Sequence, residues 1–182
     1  MIRHGRLAAP TLGSTIATLC SATLGAAILA APAQAATIGF ESGYGAVAHG
    51  ETYQESGFSM RFDAYNPQAD SSTGVGAFVD GSDPWACDMA CPVNNSSMYY
   101  GAFNDSVVWL SSETQDAQFQ LKSIDASFIG AFPNLGSYPA LSGLLRMQAF
   151  RADNTYEVIE LPLFGPGANG FQFDTYSLLE PW

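Results

Sequence analysis

The chain has 182 residues, with 17 acidic against 6 basic side chains and a formal charge of −11. So acidic a surface repels a phosphate backbone and sets nucleic acid aside as a partner. Three cysteines and two histidines leave little material for a zinc site or an imidazole-activated nucleophile.

Met1 to Ala35 reads as a secretory signal peptide. Arg3, His4 and Arg6 give a basic start, and no acid precedes Glu41. An Ala/Leu/Thr/Ile-rich stretch from Thr11 to Ala31 then runs into Pro32-Ala33-Gln34-Ala35, whose small residues suit cleavage after Ala35. The alternative is a retained anchor, but Ser14, Thr15, Thr18, Ser21 and Thr23 interrupt the apolar stretch. Leu19 before Cys20 does not fit a lipoprotein signal. Residues 36–182 are the length of one domain with a single sizeable core. They hold four basic residues (Arg61, Lys122, Arg146, Arg151) against all seventeen acids, a formal charge of −13. The expected location is exported, extracellular or on the cell surface, with the periplasm as an alternative. No membrane span is expected after cleavage. The plain reading of the acids is a solvated coat; the sharper one is a structural Ca²⁺, since paired carboxylates suit that ion.

In chain order, Thr37-Ile38-Gly39-Phe40 is a short apolar run expected as the first strand, ending at Glu41. Ser42 to Glu51 carries Gly43, Gly45 and Gly50 and reads as loop. Phe58, Met60 and Phe62 alternate with Ser59 and Arg61, the pattern of a half-buried strand. Gly74 to Val79 is a strand stopped by the Asp80-Gly81 turn. Ser82 to Ser97, with two prolines, two cysteines, Trp85 and Asn94-Asn95-Ser96-Ser97, is the longest loop and the expected place for binding. Met98-Tyr99-Tyr100 and Ser106 to Leu110 are strands around a Gly101–Asp105 connection.

Ala117 to Phe132 looks the most architectural. Phe119 and Leu121 alternate with Gln118, Gln120 and Lys122, and Ile124 and Phe128 follow in a more apolar run. A central strand or strand pair is expected, with Phe119, Leu121, Ile124 and Phe128 buried. Leu144 to Arg151 and Thr155 to Leu161 form a hairpin about Ala152-Asp153-Asn154, where Asp and Asn tolerate left-handed backbone. Phe171 to Tyr176 alternates as a last strand. No apolar 3.6-residue period is sustained after residue 35. About eight to ten short strands with turn signals between them point to an all-β fold, an antiparallel β-sandwich. Only Leu178 to Trp182 follow the last strand, which leaves two readings. One is a domain complete with about nine strands; the other, the one preferred, is a sheet edge left open because one or two closing strands are missing from this sequence.

Several pieces fall in a recognisable order: Phe40-Glu41, Glu55-Ser56-Gly57-Phe58-Ser59-Met60, Phe119-Gln120-Leu121-Lys122-Ser123-Ile124-Asp125, Leu145 to Thr155, and Phe171-Gln172-Phe173-Asp174. Together they resemble exported bacterial β-sandwich proteins of the PEP-CTERM type, which exosortases sort. The resemblance implies a jelly-roll fold like that of carbohydrate-binding modules. It does not extend to the Pro-Glu-Pro sorting tail, for which Glu180-Pro181 is too short. By the same likeness, Glu41 would contribute to a structural Ca²⁺ site, although a solvated strand-end acid is the plainer role.

Cys87 and Cys91, four residues apart, are the only cysteines after residue 35 and are expected as a disulfide pinning the 82–97 loop. A metal or redox role fits less well: His49 is the one histidine after residue 35, and the spacing is not Cys-x-x-Cys. No nucleophile–base motif is present, so an enzyme is not expected. Trp85, Tyr99, Tyr100 and Asn104 gather aromatic faces and an amide in one region, the mixture that sugar rings favour. Trp109, between Val108 and Leu110, belongs by pattern to the core. The leading reading is an exported non-enzymatic surface or matrix protein that binds polysaccharide. The alternatives are a secreted glycan-active hydrolase using two carboxylates, which needs only a suitably spaced acid pair, and a purely structural biofilm component.

Overall fold

The Phe58/Met60/Phe62 alternation builds the strand on which the interior is assembled. The structure, a computed structural model, describes residues 35–83, 86–87, 89–103, 106–131 and 138–178. It is all-β: the described residues hold no helix, and every strand pairs antiparallel. Residues 36–182 group as one unit, and Met1–Ala35 lie outside the described residues except for Ala35.

One three-stranded sheet joins β2 (Thr52–Glu55), β3 (Phe58–Ala64) and β6 (Ser106–Ser112), with β3 in the middle. The β2–β3 link is a two-residue turn in which Ser56 and Gly57 have φ of 55° and 81°. Positive φ at both positions matches the right-handed twist of the flanking strands. A second three-stranded sheet joins β1 (Ala46–Ala48), β4 (Gly74–Asp80) and β5 (Met98–Ala102). Val47 and Val75 of this sheet and Met60 and Phe62 of the other are almost fully buried together. Phe62 meets Phe78 edge-on at 5.9 Å and Tyr100 at 4.5 Å. The two sheets therefore share one dry interior, where each such side chain contributes about 1.5–3 kcal/mol.

β7 (Ser123–Ala126) pairs with β10 (Asp174–Ser177), and β8 (Leu141–Phe150) with β9 (Tyr156–Phe164). The β8–β9 turn falls at the expected Ala152-Asp153-Asn154, with Asn154 at φ 65°. Asp153 accepts the Thr155 amide and hydroxyl at 2.9 and 2.6 Å, the usual self-bonding of an Asp turn. A smaller apolar group forms around Phe171, which is wholly buried against Phe128 and Tyr138 at ring distances of 5.6 and 5.2 Å.

Four expectations are corrected. Thr37–Phe40 is not a strand, because the side chain of Glu55 rather than a neighbouring backbone takes the Gly39 and Phe40 amides. Ile38 and Phe40 still pack on the main core. The Ser42–Glu51 loop contains β1. Of the described residues of the Ala117–Phe132 stretch, only Ser123–Ala126 form a strand, and it lies in a two-stranded sheet, not a central one; Phe132 lies outside the described residues. Phe119 is 40 % exposed, with Phe58 edge-on at 5.1 Å, and Leu121, Ile124 and Phe128 are half-buried. Trp109 is 49 % exposed: register sets it opposite Arg61, while its neighbour Leu110 opposes the buried Met60 and packs on the core.

Candidate ligand cleft

β4 ends where Asp80 accepts the Ser82 amide at 2.9 Å and its hydroxyl at 2.6 Å. These bonds, the hydroxyl's first, hold the Asp80 carboxyl below its ordinary value. The Gly81 amide donates to the Ser97 carbonyl at 3.0 Å, and a Cβ on Gly81 would lie 2.7 Å from that oxygen. Only glycine fits this approach. The chain then leaves the β4–β5 hairpin and returns at Met98, opposite Asp80.

The described part of this loop is held by one local disulfide and by contacts distant in sequence. Cys87 and Cys91 are disulfide-bonded, with Cα atoms 6.3 Å apart. Ala90 and Gly130 exchange backbone hydrogen bonds at 2.8 and 3.1 Å, and the Val93 amide donates to Phe171 at 2.9 Å. The Asn94 side chain accepts from the Phe173 amide at 2.7 Å and donates to its carbonyl at 3.0 Å, doing for that segment what a paired strand would.

Between the loop and the C-terminal segment lies an open cleft of about 380 Å³. Asp80, Ser82, Asp83 and Asn169 bring polar groups to it, Met89 and Val93 bring exposed apolar surface, and the buried Tyr99 and Phe171 pack behind them. Tyr99 rests edge-on against Phe173 at 5.2 Å, and burial raises its phenol above the usual tyrosine range. A shallower hollow of about 430 Å³, lined by Tyr44, Phe78 and Met98, shares Asp80 and Asp83 with the cleft. Apolar surface with carboxylates and an amide nearby suits a ligand having both an apolar face and hydroxyl groups.

The sequence candidates separate. Tyr99 lines the cleft, and Cys87 and Cys91 form part of its wall. Tyr100 points to the opposite side of β5. It packs in the core and donates to the Val75 carbonyl at 2.8 Å, so its placement as a ligand residue is corrected by strand alternation. Trp85 and Asn104 lie outside the described residues. Glu41 is exposed, and among the described residues no group of three acidic, histidine or cysteine side chains is placed to hold a metal ion. His49 Nδ1 lies 3.0 Å from the Ala64 amide and 3.3 Å from Asp63, so the imidazole is held within the strand framework. Asn169 and Phe171 were not foreseen in the cleft; their one local signal is the Gly-rich turn from Gly165 to Gly170, which allows the backbone to approach the loop.

Compared with protein-family models, curated proteins and solved structures, the chain finds no match in any of the three. No helix among the described residues is long and apolar enough to cross a membrane.

Proposed function

We propose that the chain is an exported, non-enzymatic protein of the cell surface or extracellular matrix, of the PEP-CTERM kind, and that it binds glycan. Its two packed sheets are read as part of a jelly-roll sandwich. The observation that supports binding is the cleft itself: Met89, Val93 and the rim of Tyr99 supply apolar surface while Asp80, Asp83 and Asn169 supply hydrogen-bonding groups, beside a loop held by a disulfide. Sugars need both kinds of surface, and a loop fixed in advance loses little entropy on binding. The basic n-region and the Ala33-Gln34-Ala35 site support export.

A glycan array probed with the protein, with and without Ca²⁺, tests this reading. Binding is expected, and Asp83→Asn with Asn169→Ala should weaken it about tenfold, the effect of losing one good polar contact. An array blank under both conditions, or binding untouched by the double variant, would overturn the cleft assignment.

A further inference from the structure

A second surface, separate from the cleft, carries an aromatic row that the core does not need. Across the β3–β6 ladder Arg61 stands directly opposite Trp109. Trp109 stacks on Phe150 of β8, centroids 6.2 Å apart and planes inclined by 27°. Phe150 in turn stands directly opposite Tyr156 of β9. Four strands thus line up Arg61, Trp109, Phe150 and Tyr156.

The row faces solvent, with Trp109 49 %, Phe150 63 % and Tyr156 64 % exposed. Ring packing between β6 and β8 accounts for the Trp109–Phe150 contact. It does not account for Tyr156, nor for exposure of three aromatics in succession. Opposed cross-strand side chains lie roughly 5 Å apart, so the row offers a flat apolar track for a short run of sugar rings.

The charges around the row name the kind of sugar. Two of the four basic residues after residue 35 lie on the face of the row: Arg61 opposite Trp109, and Arg146 on the same side of β8 as Phe150. Both have an acid partner, and in each pair the guanidinium is the more exposed group. The exposures are 56 % against 16 % for Arg61–Asp63 and 64 % against 53 % for Arg146–Glu160. On a chain of otherwise negative surface, this face turns its cations outward. A planar guanidinium holds a carboxylate through two parallel hydrogen bonds. We propose that the Arg61–Trp109–Phe150–Tyr156 row binds an acidic polysaccharide, with sugar rings on the aromatic track and uronate carboxylates on Arg61 and Arg146. This holds whether or not the cleft takes a ligand.

The test is affinity electrophoresis of the protein in gels containing polygalacturonate, its methyl ester or amylose, with EDTA present. Polygalacturonate should retard the protein, and the ester and amylose about tenfold less. Tyr156→Ala, a change at an exposed position, should weaken retardation about tenfold, as should Arg61→Gln with Arg146→Gln, which should also remove its salt dependence. Asp83→Asn with Asn169→Ala should leave it unchanged, so failure of the cleft and failure of the row are distinguishable. Equal retardation of the native protein and Tyr156→Ala would overturn the proposal. So would equal retardation by acid and ester. Light scattering that shows a dimer dispersed by Tyr156→Ala, without polygalacturonate binding, would instead assign the row to self-association and also overturn it.

Discussion

The Glu55 carboxylate receives the Phe40 amide at 2.9 Å, fifteen residues back in the chain, and the Gly39 amide at 3.2 Å. Phe40 sits at φ 59°, a conformation unusual for a side chain of its size, and its ring packs on Tyr53, Phe78 and Tyr100. One acid thus seats the segment that closes this end of the core. Replacing Glu55 by Ala leaves two part-buried amides unpaired and should cost about 1–3 kcal/mol, read from the urea midpoint. Glu55→Gln keeps an acceptor and should cost less. Adding Phe40→Ala to Glu55→Ala should destabilise less than the sum of the two, because each loosens the same segment from the core.

Gly130 is enclosed by rings: a Cβ there would lie 2.6 Å from Phe171 and 2.9 Å from Tyr138. Gly130→Ala should destabilise by about 1–3 kcal/mol through overpacking. It should also disturb the Ala90 backbone bonds, so amide exchange at Ala90 and Gly130 should rise beyond what global stability predicts.

Asp70, Asp80 and Asp153 share one device, each accepting a hydroxyl and an amide from the Ser or Thr two residues later. These bonds hold all three carboxyls below their ordinary 3.8. With the folded value below the unfolded one, their contribution is present above about pH 4 and is lost as pH falls through the lowered values. The three turns are solvent-exposed, so the effect is small. Replacing all three by Asn should flatten the fall in urea midpoint between about pH 4 and pH 2, and an unchanged acid slope would refute this account.

The Cys87–Cys91 bond closes a very short loop. The chain-entropy model gives such a loop about 2 kcal/mol, small beside the burial that holds the sheets. Reduction should leave strand amides protected while accelerating exchange at the described loop amides near Cys91. Global unfolding on reduction would show that the disulfide holds the whole domain.

The strands most legible in the sequence were those whose pattern and punctuation agreed. Phe58–Phe62 alternates and is preceded by Ser56-Gly57; the β8–β9 hairpin has Asp153-Asn154 at its tip. Ala117–Phe132 misled because alternation reports two faces without saying what covers them. Tyr99 and Tyr100, adjacent and chemically alike, were equal candidates in the sequence. Strand alternation divides them between the cleft and the core.

The sequence by itself determined the all-β class, most strand positions and the pairing of two lone cysteines, because these follow from local periodicity, turn residues and spacing. Only the tertiary structure decided that Glu55 seats Phe40, that Asn169 and Phe171 meet the Cys87–Cys91 loop, and that Arg61, Trp109, Phe150 and Tyr156 share a row. Those relations join residues up to about ninety positions apart, and strand register, which no local pattern encodes, sets which side chains meet.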